Sequence, residues 1–507
     1  MRRELILVFV AAVALYLPTV RYGFVQDDRA IIASNPAAHS VGAALRAFKD
    51  PYWPRQTGAG LYRPVTVLSY AVDWTISGGR PGCMHVMNAL WHGLATVLLV
   101  ILLARWLPPL GAAAAGFVFA WHPVHVEAVA SVVGRAELLT AVGILASVLA
   151  ARRGKWALAV LCATLAMFSK EHGVIAGVVI LLDHWLQPSE ERRYPPALWV
   201  ALAAVTLGFL VAWFSIGWVG ENDAAAVFYG TGVAERLAIA LPAALRAATL
   251  LVWPASLSSD YSPQVIPART AVSLAAFLGL CVVIVIPALG LWSRRRAPAI
   301  AFAASLALLS YLPASNLFFA AGIALAERNL YLAVALPAVF AGWLTTWIAT
   351  LRGTRLAIVA VSIVALLAGG RSMLRLPAWR DNRTQLVTLL IDHPESYRAH
   401  ASAAAVLAGM HDTAGARREY RVADSLFSGD PYVDGARAIF LIGIGDTTAA
   451  IPLIARRTGS DLGARMTLRA EFLLERARRR AANARAIADS ATRRFAGERD
   501  WYVLYSQ

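Results

Sequence analysis

The sequence predicts an all-α membrane protein in two parts: a body of about 11 transmembrane helices followed by a helical C-terminal solenoid. Of the 507 residues, 58% are hydrophobic, and the mean hydropathy is +0.58. Soluble domains are about 45–50% apolar. The apolar residues form long runs from Leu5 to Ala368, and these runs stop near Arg371. We therefore expect a membrane domain at 1–371 and an extracytoplasmic domain at 372–507.

The apolar runs set the number of spans, because a transmembrane helix needs about 20 mostly apolar residues. We place spans near residues 5–21, 86–104, 109–122, 137–151, 156–169, 173–187, 196–219, 270–292, 298–313, 329–351 and 355–371. The first run follows Arg2-Arg3 without a small-residue cleavage site, so we interpret it as a retained signal anchor.

Basic clusters at alternating loops predict the orientation. Arg152-Arg153 and Arg294–Arg296 are two of these clusters, which face the cytoplasm by the positive-inside rule. The first outer loop, 22–85, is also basic, but long loops weigh less in this rule and interfacial helices are expected there. A span at 235–253 would turn Arg294–Arg296 outward, so we predict a re-entrant or interfacial helix on the outer face.

The charge and cysteine content exclude several classes of protein. The net charge of +16 comes from short clusters between spans and from an Arg-rich tail. Membrane topology and anionic lipid headgroups explain this charge more simply than nucleic-acid binding does. The three cysteines, Cys83, Cys162 and Cys281, are widely separated and form no disulfide framework or metal-binding spacing.

Ionisable residues gather in the loops assigned to the outer face. Such groups are costly at membrane depth, so they indicate function. The candidate catalytic residues are Asp27 and Asp28, the candidate cations are Arg135, Lys170 and Arg328, and the candidate supporting residues are His122, His125, Glu127, Glu137, Glu171 and Glu327. A metal site from His122, His125 and Glu127 is conceivable, but Pro123 gives no recognised ligand spacing, and we expect no metal.

These residue types suit transfer of a sugar from a lipid-phosphate carrier to a hydroxyl. A carboxylate at the bilayer edge can take the proton of the acceptor, and cations can hold the leaving phosphate as its charge grows. Simpler interpretations stay open. The Asp27-Asp28 pair could solvate a helix end, Arg135–Glu137 and Lys170–Glu171 could be structural ion pairs, and the histidines could cap helices.

Several motifs, in this order, resemble the transmembrane and tetratricopeptide-repeat-containing O-mannosyltransferases. They are V-Q-D-D-R-A-I-I-A-S-N-P, L-Y-R-P-V-T-V-L-S-Y, H-P-V-H-V-E-A-V-A-S-V-V-G-R-A-E-L-L, K-E-H-G and L-P-A-S-N-L-F-F-A-A-G-I-A-L-A-E-R-N-L-Y-L. The resemblance covers residues 20–335 and then the tail. The Ala/Arg-rich composition suggests a bacterial relative in the inner membrane.

The resemblance implies a C-type glycosyltransferase fold and an inverting reaction. It implies a polyprenyl-phosphate mannose donor and an acceptor hydroxyl of protein Ser or Thr, with no metal cofactor. By position, Asp27 is the base, Asp28 stands where related enzymes have Glu, and Arg135 binds the donor phosphate. The short tail departs from the animal pattern, which puts the acceptor in doubt. A lipid or glycan acceptor is the alternative within this fold. A transporter and a non-catalytic scaffold are the other classes considered.

The tail carries a tetratricopeptide-like pattern. Pro394 and Pro431 precede helical units of similar length, close to the period of about 34 residues. We predict about two to four degenerate repeats in a short solenoid. They would form either a stabilising cap or a platform for an acceptor protein. We interpret the Arg-rich stretch from Arg476 to Arg494 as a solvated helix face.

Overall fold

The chain folds almost entirely into helices. The computed structural model describes residues 2–54, 60–187, 194–217, 224–266, 273–456 and 461–494. Within these ranges the only β-type pairing is an isolated bridge between Pro263 and Ile266. A helical body follows from the apolar runs, because backbone groups in hydrocarbon must be hydrogen-bonded within their own segment.

Five helices of the membrane body begin at a proline. Pro stands at the first helical position of α3, α4, α5, α10 and α13, where its missing N–H costs nothing. The helices are α1 (Arg2–Tyr16), α2 (Val41–Arg46), α3 (Pro64–Ser77), α4 (Pro81–Leu103), α5 (Pro109–Trp121), α6 (His125–Ala130), α7 (Arg135–Arg152), α8 (Trp156–Ser169), α9 (Ala176–Leu186), α10 (Pro196–Ala212), α11 (Val233–Val252), α12 (Leu274–Ser293), α13 (Pro298–Tyr311), α14 (Ala335–Arg352) and α15 (Thr354–Arg375).

Among the described residues, seven helices are long and apolar enough to cross a membrane. With their flanking single turns they span Arg2–Arg21, Pro81–Leu103, Val132–Arg152, Pro196–Gly217, Leu274–Ser293, Leu332–Arg352 and Thr354–Trp379, and three shorter apolar helices span Pro109–Trp121, Trp156–Ser169 and Pro298–Ala314. The predicted span 173–187 coincides with α9. Each predicted span therefore falls on a helix, although 218–219 and 270–272 lie outside the described residues. The chain is a multi-pass membrane protein.

Small residues allow the central helices to pack closely. Gly111 on α5 and Gly342 on α14 face each other, and a methyl group on either would collide with the backbone of the other. Gly143 on α7 lies in the same way against Ala166 on α8. Small residues at such crossings are typical of membrane bundles. The α7–α8 crossing brings the first turn of α7 close to the end of α8, where the charged loops meet.

Helix α11 occupies the segment predicted to lie on the outer face. It is a continuous helix that contains Pro242 and packs on α12, where Gly279 lies against the backbone of Leu241. It is not among the seven membrane-length apolar helices of the described chain, since it carries Glu235, Arg236 and Arg246. Its placement in the interface remains a prediction.

The tail consists of paired helices. They are α16 (Asn382–Asp392), α17 (Tyr397–Gly409), α18 (Thr413–Leu426), α19 (Pro431–Gly443), α20 (Thr447–Ala455), α21 (Asp461–Ala477) and α22 (Ala481–Arg494). Asp or Ser side chains cap the starts of α16 to α20. Helix α17 packs on α18 and α19, and α19 packs on α20 and α21, as in a short solenoid. The assignment to tetratricopeptide repeats remains a prediction.

Candidate functional site

Loops that are distant in the sequence meet at one end of the bundle. The first loop contacts the turn before α7, the turn before α14 contacts α6, and the turn after α8 contacts α7. The opposite end carries basic clusters, and there Arg152 forms an ion pair with the buried Asp183 on α9 at 2.6 Å. The candidate acids and bases thus share one end of the bundle, as the sequence predicts.

The two adjacent aspartates have different environments. Asp28 is fully buried and accepts hydrogen bonds from the backbone N–H groups of Val25 at 3.0 Å, Val132 at 3.4 Å and Val133 at 2.8 Å. Burial raises the pKa of Asp28 to about 7, although these hydrogen bonds oppose the shift. Asp28 therefore fastens the first loop to the turn before α7.

Asp27 is only half-buried and lines a cavity. Its carboxylate makes no hydrogen bond or ion pair within the part of the chain that the structure describes. It follows Gln26, whose backbone is in the left-handed region with φ of 49°. Such a conformation is uncommon for residues other than glycine and is often found at functional sites. Of the two predicted catalytic carboxylates, Asp27 is the one available to a substrate.

Glu127 and Arg328 form a second element of the same cavity. Arg328 donates from its backbone N–H to Glu127 Oε2 at 2.9 Å and from Nη1 to Oε1 at 2.6 Å. Glu127 is 2% exposed, whereas the side chain of Arg328 is 29% exposed. Among the described residues, Nε and Nη2 of Arg328 have no hydrogen-bond acceptor. Glu127 fixes the guanidinium and leaves two of its nitrogens for a ligand.

The cavity has a volume of about 1250 Å³ and lies between the membrane body and the tail. Asp27, Glu127 and Arg328 contribute from the body. Helices α16 and α17 supply much of the remaining lining, together with the segments 259–263 and 323–326. This volume exceeds the usual range of about 300–1,000 Å³ for small-ligand pockets, so the cavity has room for more than one substrate.

A second charged cluster surrounds Lys170. Lys170 forms an ion pair with Glu137 and donates to Asn329 Oδ1 at 3.1 Å, while His172 Nε2 lies 3.5 Å from Glu137 Oε2. Burial lowers the pKa of Lys170, although Glu137 opposes the shift. Since Asn329 follows Arg328, this cluster adjoins the cavity. Lys170 itself is not among the cavity-lining residues.

Arg63 is a site residue that the functional interpretation of the sequence missed. Its Nε and Nη2 donate to both carboxylate oxygens of Glu171 at 2.8–3.1 Å. Burial raises the pKa of Glu171, but the charge and hydrogen bonds of Arg63, a backbone hydrogen bond and the charge of Lys170 together outweigh it, so the pKa is lowered. The position of Arg63 in the L-Y-R-P motif was the available signal. The pairing itself could not be predicted from the sequence, because Lys170 is adjacent to Glu171 but Glu171 pairs with Arg63.

Arg135 differs from its predicted role in phosphate binding. It is completely buried and forms an ion pair with Asp73 at 2.5 Å. Its Nε donates to Asn88 Oδ1 at 2.8 Å, and its other nitrogens donate to the backbone oxygens of Met84 and Ser69 at 2.8 and 3.3 Å. Arg135 does not line the cavity. Protein groups occupy its guanidinium, which ties α7 to α3 and α4.

The two histidines also pack inside the protein. His122 Nε2 lies 3.1 Å from the carbonyl oxygen of Leu251, and His125 Nε2 lies 3.0 Å from that of Tyr331. Both are buried, and neither lines the cavity. Within the described ranges, no group of His, Cys, Asp and Glu could hold a metal ion.

Glu327 connects the turn before α14 to the segment 258–261. It is fully buried and accepts hydrogen bonds from the backbone N–H of Ser258 at 2.6 Å and from Tyr261 Oη at 2.8 Å. Burial raises the pKa of Glu327 to about 7. Glu327 therefore helps to position the next residue, Arg328, but does not itself line the cavity.

The fold and the site define a multi-pass helical membrane protein with a charged cavity enclosed by its own helical tail. A comparison with protein-family models finds no match. Among curated proteins, the chain is similar to Protein O-mannosyl-transferase F38B6.6 of Caenorhabditis elegans, with 29% identity over 65% of this chain and 49% of that protein. It is also similar to Protein O-mannosyl-transferase TMTC3 of Homo sapiens, with 26% identity over 65% of this chain and 41% of that protein.

These matches confirm the resemblance that the motifs indicate. The chain spans about half the length of the first of these relatives and less of the second. Among solved structures, the fold is similar to the crystal structure of ArnT from Cupriavidus metallidurans bound to undecaprenyl phosphate. That match has a TM-score of 0.39 and 14% identity, over 96% of this chain and 79% of that chain.

Proposed function

We propose that this chain is a membrane glycosyltransferase with a C-type fold that transfers mannose from a polyprenyl-phosphate carrier to a protein hydroxyl. The observation that carries the proposal is that Asp27 and Arg328 line the same cavity, an unengaged carboxylate together with a fixed and partly free guanidinium. The names of the curated relatives, which are protein O-mannosyl-transferases, support the reaction class and the sugar.

In the proposed reaction Asp27 is the general base. It takes the proton of a Ser or Thr hydroxyl as the hydroxyl oxygen bonds to the anomeric carbon of the mannose. The bond from that carbon to the phosphate oxygen breaks on the opposite face, so the configuration inverts. The lipid phosphate leaves with the electron pair, and Asp27 ends protonated. Each atom and charge is then accounted for without a further reactant.

Arg328 is the proposed partner of the leaving phosphate. A guanidinium presents forked donors that match phosphate oxygens, and Glu127 holds this one in place before substrate binds. Lys170 adds positive charge from the neighbouring cluster. Because Arg328 faces the developing negative charge, we propose that transfer proceeds without a metal cofactor. A chelator should then leave the rate unchanged.

The proposed location is a bacterial inner membrane, with the cavity and the tail on the periplasmic side. Basic clusters such as Arg294–Arg296 support this orientation through the positive-inside rule. Single cysteines placed at exposed tail positions would test it. A membrane-impermeant thiol reagent should label them in intact spheroplasts, and labelling only after lysis would reverse the orientation.

The decisive experiment is transfer of radiolabelled mannose from polyprenyl phosphate to a threonine peptide by the full-length protein in vesicles. Asp27→Asn should abolish transfer while expression and unfolding temperature stay normal. The same change at the neighbouring residue, Asp28→Asn, should reduce protein stability, but the protein that still folds should transfer mannose at the normal rate. A fully active Asp27→Asn protein would remove Asp27 as the base. Glucosyl and phosphoethanolamine donor lipids serve as specificity controls.

A further inference from the structure

We propose that one face of α17 is the subsite for the acceptor, and that the acceptor is an extended polypeptide segment. This inference rests on the proposed glycosyl transfer and names the substrate class for its second substrate. Arg398, Ser402, Val406 and Met410 all line the same cavity as Asp27. They follow one another at four-residue intervals, with Met410 directly after the last residue of α17, so they form one stripe that winds slowly around the helix.

The length of the stripe matches a short peptide. From Arg398 to Met410 a helix rises about 18 Å, at about 1.5 Å per residue. An extended chain advances about 3.3 Å per residue, so the stripe accommodates about five residues. Asp27 lines the same cavity. A peptide along α17 could therefore present one hydroxyl to the carboxylate while its neighbours contact the helix.

The distribution of exposed apolar side chains favours a polypeptide over a glycan. In the described part of α16–α22, the large hydrophobic side chains that are exposed are Val387, Ile391, Val406, Met410, Tyr432 and Ile451. All of them except Ile391 and Ile451 line the cavity. Met410 is 72% exposed, and methionine adapts its shape to different apolar partners. A sugar chain offers few apolar groups to such a surface.

The tail is fastened so that this face keeps its position. Ser259 accepts a hydrogen bond from Gln385, Asp260 accepts one from Ser396 at 2.6 Å, and Leu257 O lies 3.3 Å from His393 Nε2. The segment 257–260 thus joins the body to the ends of α16 and the start of α17. Arg398 is the first residue of the stripe, and its guanidinium lies 3.9 Å from Asp260 and 4.0 Å from Asp430.

The test compares two acceptors with the full-length protein in vesicles and mannosyl polyprenyl phosphate as donor. One acceptor is an unstructured heptapeptide with a central Thr flanked by Leu, and the other is N-acetylthreonine amide. In Met410→Asp and Val406→Asp the ratio of kcat/KM for the peptide to that for the small acceptor should fall at least about tenfold, because each loses an apolar contact. The matched control Ile391→Asp, equally exposed but outside the cavity, should keep the wild-type ratio.

The outcomes separate the two proposals. If the wild-type protein glycosylates neither acceptor, the proposed function fails. If it glycosylates both and the Met410 and Val406 variants keep the wild-type ratio, the α17 subsite is wrong while the transferase stands. A third acceptor, a mannose disaccharide, represents the glycan class of acceptor. Selective loss of transfer to that saccharide in the same variants would assign this wall to a glycan and overturn the peptide proposal.

Discussion

The backbone N–H of Gln26 donates to Asn382 Oδ1 at 2.7 Å, across 356 residues of sequence. Gln26 precedes Asp27 and is in the left-handed backbone region. Asn382 is the first residue of α16. The tail therefore holds the strained turn that presents the candidate base, and it takes part in shaping the site as well as enclosing it.

Replacing Asn382 tests this relationship. Asn382→Ala removes one hydrogen bond, worth about 1 kcal/mol, so kcat should fall about fivefold at an unchanged KM for the donor. Asn382→Asp restores the acceptor oxygen and should recover the rate. Steady-state kinetics of the two variants measure the loss and its recovery.

The neighbouring Arg380→Ala protein is the control, because its ion pair with Asp381 is solvent-exposed. It should retain wild-type kinetics, since exposed pairs contribute little. An Asn382→Ala protein with normal kcat would show that the turn beside Asp27 is held without the tail.

Asp28 should make stability depend on pH. Burial raises its pKa from the usual value of 3.8 to about 7. Between these values the folded protein keeps a proton that the unfolded chain has lost, so stability falls as pH rises from about 4 to 7. Asp28→Asn should flatten this decline and should lower stability by about 1–3 kcal/mol near pH 4, because it leaves buried backbone N–H groups without their acceptor; the difference from wild type should shrink as pH rises. Thermal unfolding in detergent across this pH range is the measurement.

Glu327 provides the comparison for that titration. Its pKa is also raised by burial to about 7, so it acts in the same direction. Glu327→Gln should flatten the pH dependence as well, and the double variant should flatten it further. An Asp28→Asn protein with the full wild-type slope would contradict the assignment of a buried, proton-binding role to Asp28.

The sequence predicts the fold better than it predicts the partners within the site. Apolar run length locates each span, because the bilayer imposes a length that composition alone can reveal. The gathering of charged loops at one end follows from alternating helices. Which charge meets which partner depends on side-chain geometry. Hence Arg63 pairs with Glu171, and Arg135 turns inward to Asp73. The sequence also does not distinguish Asp27 from its neighbour Asp28, because the two differ only in burial and hydrogen bonding within the folded protein.

The Arg63–Glu171 ion pair should be necessary for stability, because one charged partner is unfavourable when it is buried without the other. Arg63→Met leaves the Glu171 carboxylate without its cation and should cost about 3–5 kcal/mol of unfolding free energy. The double variant Arg63→Met/Glu171→Leu removes both charges and should recover most of that loss. Denaturant unfolding of the purified proteins measures the cycle. Strictly additive losses in the double variant would mean that the two residues stabilise the protein independently.

Arg328 should affect the rate of the folded protein, in addition to the stability that is lost when the buried Glu127 loses its cation. Arg328→Met removes the guanidinium beside the leaving phosphate and should lower kcat on the order of 10²–10³-fold. Arg328→Lys keeps the charge but loses the fork, so its rate should lie between those of the Met variant and the wild type. Both are measured with saturating donor lipid. Equal activity in the Lys and wild-type proteins would show that charge alone suffices at this position.

Arg135 should affect stability and not donor binding, because its guanidinium is occupied by Asp73, Asn88 and two backbone oxygens. Arg135→Lys cannot reach all four partners and should cost about 1–3 kcal/mol for each acceptor left unpaired. The protein that still folds should bind the donor lipid with a KM close to the wild-type value. Thermal unfolding and donor titration on the same preparation separate the two effects. Normal stability with a raised donor KM would return Arg135 to the phosphate-binding role that its position in the motif suggests.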